Sequence, residues 1–195
     1  MVRRQMLVAV VAVALALTLG PWLIVRARHS AAPTKLAPFL TTPPEVVDHM
    51  LRLANVGPND VVYDIGSGDG RIVITAARKY HAHGVGIEYD PQLVAESREN
   101  AKKAGVEDLV EFRQQAAQTS DVSSATVVTL FLMNSSNLKL RPMLTKQLKP
   151  GARIVSHQFA MGDWKPDKTE IIPNQNTLVT DSTLYLWIAD GKVRD

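Results

Sequence analysis

The sequence contains no cysteine, few aromatic residues and no surplus of positive charge beyond its first 30 residues. Without cysteine there is no disulfide framework, thiol nucleophile or zinc–thiolate site. Four of the 22 Lys and Arg residues lie before residue 30, and the remaining 18 face 19 Asp and Glu. Since a nucleic-acid-binding domain normally carries its own positive field, nucleic acid is not an expected partner. Eleven Gly and eleven Pro without a period exclude a fibrous repeat, and 46% apolar residues in a chain of 195 suffice for one globular domain.

The amino-terminal segment carries a run of twenty uncharged residues at positions 6–25. This run is long enough to cross a hydrocarbon core of roughly 30 Å as a helix. A cleaved signal peptide is the alternative, but the apolar run is longer than a signal needs and Pro33 would follow the best cleavage position. We therefore predict an uncleaved, single-pass membrane anchor in residues 1–29, a linker in residues 30–41 and a folded domain in residues 42–195. Positive residues flank the run almost evenly, so they do not decide its orientation.

From residue 42 onward, short apolar runs typical of strands alternate with helical periods. Thr42 is expected to cap a first helix, with Pro43 in its first turn and Glu45 completing a capping box. Further helices are predicted at 71–80, 91–103 and 138–148, the last interrupted near Pro142. Strands are predicted at 61–63, 84–88, 109–113, 126–132, 152–159, 169–172 and 182–189. The fold class is therefore α/β: a doubly wound, mostly parallel, Rossmann-like sheet of seven strands with an antiparallel C-terminal strand, preceded by one hydrophobic helix.

The most informative motif joins the first strand to the following helix and reads Asp-Ile-Gly-Ser-Gly-Asp-Gly-Arg at 64–71. Glycines let the backbone turn sharply and approach a ligand closely. A second acid, Glu88, ends the next strand, where doubly wound nucleotide folds hold ribose hydroxyls. Two carboxylates in the motif, Asp64 and Asp69, would repel a pyrophosphate but attract the ammonium and sulfonium of S-adenosylmethionine. The charge pattern thus favours S-adenosylmethionine over a dinucleotide.

With this motif, Glu88 and further blocks at 42–47, 137–142, 153–157 and 164–166, the chain resembles class I S-adenosylmethionine-dependent methyltransferases. More narrowly, it resembles the small membrane-anchored lysine methyltransferases that include mitochondrial enzymes acting on the ATP synthase c-subunit and the adenine nucleotide carrier, with bacterial relatives. The resemblance implies a lysine of a protein near the membrane as the acceptor. No metal is expected, because His81 and His83, an H-x-H pair, have no third ligand nearby in sequence. The cofactor-binding residues that the resemblance implies are Thr42, Asp64, Gly66, Ser67, Gly68, Gly70, Glu88, Tyr89 and Gln115.

Within that set, the resemblance assigns the ammonium group to Asp64, the ribose to Glu88 and the adenine to Tyr89. Ala116 stands where such enzymes usually carry an acid for the adenine amino group, so recognition of adenine would depend on Gln115, on backbone groups or on apolar packing.

Acceptor-side residues are expected at the carboxyl ends of the fourth and fifth strands, where open α/β sheets bind ligands. A lysine must lose its proton before it can attack a methyl group. Asn134 and His157 are the candidates to accept a proton or a hydrogen bond from the amine, and Phe159 and Trp164 are candidates for the channel wall.

Two alternatives remain open on the sequence. The acceptor can be a small molecule or a lipid, because this fold hosts many acceptors. The chain can also be a cofactor-binding scaffold with little turnover, because Ala116, Gln158 and Ala160 replace acids expected from the resemblance. Since the cofactor is made in the cytoplasm, we expect the catalytic domain on the cytoplasmic side of the membrane.

Overall fold

The computed structural model describes residues 41–174 and 180–195. In these ranges the chain forms four α-helices, one short 3₁₀ turn at Ala117–Thr119 and seven strands. The helices are α1 (Pro44–Leu53), α2 (Arg71–Tyr80), α3 (Pro91–Ala104) and α4 (Asn134–Gln147). The strands are β1 (Val61–Ile65), β2 (His83–Glu88), β3 (Val110–Gln114), β4 (Val127–Leu130), β5 (Arg153–His157), β6 (Lys168–Ile172) and β7 (Ser182–Ile188).

All seven strands join one sheet in the order β3-β2-β1-β4-β5-β7-β6. Strands β1 to β5 are parallel, while β7 is antiparallel to both β5 and β6. The expected fold class, a mostly parallel seven-stranded sheet with an antiparallel C-terminal end, is confirmed. The chain winds outward from β1 to β3 and then returns to place β4 on the other side of β1, and ligands bind outside the carboxyl ends of the strands at such a reversal.

Two apolar cores cover the two faces of the sheet. Helices α1, α2 and α3 pack on one face, where Met50, Val73 and Val155 are fully buried. Helix α4 packs on the other face, where Leu140 and Trp187 are fully buried. Alternate residues of each strand point to opposite faces. Asp64 therefore shares the α1–α3 face with Val62, its neighbour two residues earlier.

The start of α1 differs from the expected capping box. The helix begins at Pro44 with Pro43 as its N-cap, and no side chain of the described residues caps it. The residue before a proline is disfavoured in helical conformation, and Pro43 has the extended angles φ −57° and ψ 147°. The tandem prolines thus delay the helix by one residue and remove Thr42 from the capping position, so that prediction was wrong.

Helix α4 begins four residues earlier than its hydrophobic pattern predicts, at Asn134 rather than residue 138. Its first turn, residues 134–137, is polar and offers no apolar period to detect. The helix also continues through Pro142, where an interruption was expected. Burial of Leu140 and Leu144 against the sheet offsets the hydrogen bond that an internal proline removes.

The predicted membrane anchor within residues 1–29 lies outside the described residues, as does the linker up to residue 40. Across residues 41–174 and 180–195, none of the helices has the length and apolar character needed to cross a bilayer.

Candidate active site

The glycine loop between β1 and α2 is held against the end of β2. The backbone N–H groups of Gly66 and Ser67 donate to the carbonyl of Ile87, at 2.8 and 3.0 Å. The Gly68 N–H donates to the Glu88 carboxylate at 3.0 Å. The loop motif and the acid that ends the next strand, eighteen residues past Gly70, are therefore one physical unit.

Gly70 shows why the loop needs glycine. Its φ is +81°, a conformation that residues with side chains rarely adopt. A Cβ at this position would lie 2.6 Å from the Phe112 ring and 2.9 Å from the Cβ of Ser97. Both the backbone conformation and the close approach of β3 and α3 require the absence of a side chain here.

Asp64 is the most perturbed acid of the site. Its side chain is 3% exposed, and its Oδ1 accepts a hydrogen bond from Thr129 at 2.7 Å. Burial away from water raises the pKa of Asp64 to about 7, the Thr129 hydroxyl opposes that rise, and the nearby charges of Glu88 and Asp69 add to it. An opposite charge brought to this carboxyl would reverse the effect, since it would favour the ionised form.

Glu88 is fixed by backbone donors. Besides the Gly68 N–H on Oε2, the N–H groups of Tyr89 and Asp90 donate to Oε1 at 2.8 and 2.9 Å. A carboxylate offers about four acceptor positions. Three of them are taken, so Glu88 has room for one further hydrogen bond while these contacts hold.

Asp69 does not contribute an uncompensated negative charge, contrary to the expectation from the sequence. Its carboxylate pairs with the Arg71 guanidinium, with Nε at 2.9 Å from Oδ1 and Nη2 at 2.5 Å from Oδ2. The motif supplies its own cation for this acid. Of the acids discussed here, Asp64 and Glu88 remain to attract a positive ligand.

Of the other predicted cofactor residues, Ser67, Tyr89 and Gln115 follow the ends of strands, and Thr42 precedes the first helix. Tyr89 is 47% exposed and follows β2 directly. Ser67 is buried, and its hydroxyl has no hydrogen-bond partner within the described part of the chain. The side-chain amide of Gln115 donates to the carbonyl of Thr119 at 3.0 Å, which ties it to its own loop. Thr42 is 3% exposed, and its carbonyl accepts from Arg71 at 2.9 Å.

These groups fit S-adenosylmethionine. The site presents carboxylates at two neighbouring strand ends and the buried Ser67 hydroxyl, which suit an ammonium, ribose hydroxyls and a sulfonium. The loop's cation, Arg71, is occupied by Asp69 and so is not free to bind a phosphate.

His157 lies at the end of β5 on the same face as Asp64. It is 3% exposed, and its Nε2 lies 3.0 Å from the hydroxyl of Ser182. Its Nδ1 is buried with no hydrogen-bond partner in residues 41–174 and 180–195. Burial lowers the pKa of His157 to about 4, so the ring is neutral at neutral pH. Asn134, the other candidate, is the exposed first residue of α4.

Phe131 belongs to this region and was missed by sequence reasoning. Its ring centroid lies 4.2 Å from that of His157 and 6.3 Å from that of Phe159. The sequence pattern extended the fourth strand to residue 132, which hid Phe131 in the strand. Because β4 ends at Leu130, Phe131 lies in the loop at the carboxyl edge of the sheet.

Asn137 is a second residue whose role the sequence did not reveal. It is fully buried, and its amide donates to the Ser156 hydroxyl at 3.1 Å and the Phe159 carbonyl at 3.0 Å. Gln158 has a left-handed backbone conformation. Its side-chain amide donates a hydrogen bond to the Asp181 carbonyl and accepts one from the Thr183 N–H. These amides together fix the loop that carries Phe159.

Trp164 does not line this region, so that prediction was wrong. Its ring packs against Trp187 at 5.8 Å and under the Arg194 guanidinium at 4.3 Å. It borders a cleft of about 670 Å³ whose lining includes Ile188 and Asp190. Ile188 pairs with Arg153, the first residue of β5, so this cleft lies at the amino ends of the parallel strands, away from the candidate site. The loop after β5 returns along the sheet and carries Trp164 away from the strand ends.

In the described ranges, no cluster of three His, Asp or Glu side chains is arranged to hold a metal ion.

Residues 64–168 match the family described as the ANTKMT methyltransferase domain. A protein-lysine N-methyltransferase of Saccharolobus islandicus is 40% identical over 152 residues, which cover 77% of this chain and 92% of that protein. The human lysine N-methyltransferase of the ATP synthase c-subunit is 32% identical over 130 residues, which cover 67% of this chain and only 55% of that protein.

Two solved structures of methyltransferases are also similar to this chain. A Salinibacter ruber protein described as an RNA methyltransferase, in complex with S-adenosyl-L-homocysteine, is 52% identical with a TM-score of 0.73, covering 80% of this chain and 97% of that one. An S-adenosylmethionine-dependent methyltransferase from Geobacter sulfurreducens, 22% identical with a TM-score of 0.54, shares the fold and covers 74% of this chain and 55% of that one.

Proposed function

Because this chain belongs to the ANTKMT methyltransferase family of S-adenosylmethionine-dependent enzymes, we propose that it methylates lysine side chains of a protein substrate near a membrane. The observation that carries the lysine assignment is the 40% identity to a protein-lysine N-methyltransferase over 92% of that relative's length. The cofactor assignment has physical support of its own, in the paired acids at the ends of β1 and β2.

On the cofactor side, the ionised Asp64 carboxylate holds the ammonium group, and Glu88 accepts from one ribose hydroxyl at its remaining position. The exposed Tyr89 ring lies against the adenine, with Gln115 beside it. Ser67 offers its buried hydroxyl, and glycines 66, 68 and 70 allow close approach of the backbone. S-adenosylmethionine supplies an electrophilic methyl group on a positively charged sulfur.

On the acceptor side, the lysine nitrogen uses its lone pair to form the new N–C bond while the C–S bond breaks and sulfur keeps the electron pair. The proton of the alkylated nitrogen leaves to solvent, because His157 is too weak a base to hold it at neutral pH. In the tautomer whose Nε2–H donates to the Ser182 hydroxyl, the buried Nδ1 of His157 keeps a free lone pair, which would orient the neutral amine after the acceptor opens a path to it. Asn134 adds a second acceptor from the start of α4.

Support for a membrane location comes from the uncharged run at 6–25, which is long enough to span a bilayer. This segment keeps the domain beside membrane-embedded substrates, on the cytoplasmic side where the cofactor is made. Carbonate extraction of membranes, followed by protease protection in spheroplasts, tests both statements. Release of the full chain by carbonate would contradict anchoring, and digestion of the domain by protease added to intact spheroplasts would contradict the cytoplasmic side.

The acceptor is tested with the full-length chain, tritiated S-adenosylmethionine and membranes from cells that lack the gene product. We expect label in protein, removed by protease and resistant to nuclease, with a mass increase of one to three methyl groups on a lysine. Label extracted into organic solvent would instead identify a lipid acceptor.

RNA is a second candidate because the 52% identical Salinibacter protein is described as an RNA methyltransferase. The charge of the chain beyond residue 30, 18 basic against 19 acidic residues, opposes it, since RNA binding normally requires a positive surface. Total RNA in the same assay decides between them: nuclease-sensitive label would favour RNA and remove the lysine proposal.

A further inference from the structure

Arg71, the last residue of the glycine motif, contacts two segments of the chain that are far apart in sequence. Its Nε and Nη2 pair with the carboxylate of Asp69, two residues away. Its Nη1 donates to the carbonyl of Thr42, 29 residues earlier, at 2.9 Å. One guanidinium therefore joins the glycine loop to the segment that leads into α1.

The residues around Thr42 offer few other backbone hydrogen bonds that could fix the segment to the domain. Pro43 and Pro44 follow it, and neither has a backbone N–H to donate. The Thr42 carbonyl precedes the helix, so it takes no part in the first helical turn, where Val47 donates to Pro43. Thr42 itself is nevertheless buried, at 3% exposed, although Thr41 and Pro44 on either side are exposed.

The loop end of the contact is also fixed. Asn100 of α3 donates to the Asp69 backbone carbonyl at 3.1 Å, and the Arg71 N–H donates to the Asp69 carboxylate at 3.2 Å. Asp69 is thus held by α3, and Arg71 links it to Thr42 through a hydrogen bond to the Thr42 carbonyl. The pairing with Asp69 also raises the pKa of Arg71, whose guanidinium is charged at every working pH.

We infer that Arg71 is a positioning residue for the cofactor site, which holds the Thr42 segment against the glycine loop while it compensates the charge of Asp69. Its two tasks are separable. Cancelling Asp69 requires only a positive charge, whereas tethering Thr42 requires a donor that reaches both partners. A guanidinium has five N–H donors in a fixed plane and meets both needs, whereas a lysine ammonium is a point charge that meets only the first. The inference rests on the proposed cofactor residues, Thr42 among them.

The test compares Arg71→Met, Arg71→Lys and the double variant Asp69→Asn with Arg71→Met in the full-length chain. Arg113→Met is the matched control. Arg113 is also bidentate to an acid two residues away, Glu111, and its side chain is 35% exposed against 33% for Arg71. Binding of S-adenosylhomocysteine is measured by calorimetry without any acceptor. Failure of the lysine proposal would therefore leave this test intact.

We expect Arg71→Met to weaken binding about tenfold or more, Arg71→Lys to weaken it about threefold to tenfold, and Arg113→Met to change it less than about twofold. The double variant should stay as weak as Arg71→Met, and amides 45–50 should exchange hydrogen faster in every Arg71 variant. Wild-type affinity in the double variant would reduce Arg71 to a charge partner of Asp69 and overturn the inference. If Arg71→Met does not fold by circular dichroism, Arg71→Lys decides, and wild-type affinity in that variant would equally overturn it.

Discussion

Replacing Asp64 by asparagine is expected to stabilise the free protein and to weaken cofactor binding. The substitution keeps the shape of the side chain and an oxygen that accepts from Thr129. It removes a carboxyl group whose ionisation is opposed by burial. Replacing a residue that serves only the fold would not be expected to raise the stability of the free protein and lower its affinity for the cofactor at the same time.

The magnitude follows from the pKa of Asp64, which burial raises from its ordinary value of 3.8 to about 7. Between these values the unfolded chain releases its proton and the folded chain keeps it, so wild-type stability is lost as the pH rises toward 7. The linkage relation gives a cost of about 2 kcal/mol at pH 5 and about 4 kcal/mol at pH 7.5. The asparagine variant carries no such cost. Its advantage over the wild type should therefore grow by about 2 kcal/mol between the two pH values.

Thermal unfolding at pH 5 and pH 7.5 measures this difference. For a chain of this size, 1 kcal/mol corresponds to about 2–4 °C in Tm, so the advantage of the variant should grow by about 4–8 °C. Calorimetry supplies the second reading. Loss of a charge-assisted contact of about 1.5–3 kcal/mol should weaken S-adenosylmethionine binding roughly tenfold to 150-fold at pH 7.5.

The wild type carries an internal check. If the ammonium of the cofactor requires an ionised Asp64, affinity should fall by up to about tenfold for each pH unit below 7, and the variant should lack this dependence. A Tm difference that is the same at both pH values would refute the raised pKa. Unchanged affinity in the variant would refute the contact with the cofactor.

Further substitutions separate fold from site. Gly70→Ala should lower stability by about 3 kcal/mol, because it combines a positive φ with a clash against an aromatic ring, while Gly57→Ala, with open space, should stay within about 1 kcal/mol in chemical denaturation. Glu88→Gln should weaken S-adenosylmethionine binding by about 1–3 kcal/mol in calorimetry, and an unchanged Kd would remove Glu88 from the site. His157→Phe should abolish the loss of stability that a buried neutral histidine causes as pH falls from 6.5 toward 4, and an identical pH profile would contradict the assignment. Asn137→Leu should raise KM for the acceptor while leaving cofactor Kd within about twofold, and equal losses in both would point to general unfolding.

The order of strands and helices was predictable because strands and helices space their apolar residues differently, and that spacing can be read from a short stretch of sequence. The bounds of α2, 71–80, agree with the pattern at both ends. The early start of α4 was not predictable, since its first turn is entirely polar. At α1, the capping box was wrongly predicted because Pro44 disfavours the helical conformation of Pro43, the residue before it.

The site was predictable where it depends on neighbouring strand ends. Asp64 and Glu88 lie at the ends of strands that pair directly, so the parallel sheet brings them together. The contact of Arg71 with Thr42 depends on how a proline-rich segment crosses the loop, which no local pattern encodes. The position of Phe131 in the loop after β4 depends on where β4 stops pairing, and the continuous apolar run of the sequence does not mark that point.

The position of β7 between β5 and β6 has a consequence for synthesis of the chain. Strand β6 leaves the ribosome before β7, yet among the described strands β7 is its only neighbour in the sheet. Until β7 has emerged, β5 also presents an unpaired edge, so two open edges coexist in the nascent chain. Premature termination between β6 and residue 182 would leave both edges exposed, and such fragments should aggregate rather than accumulate as folded domains.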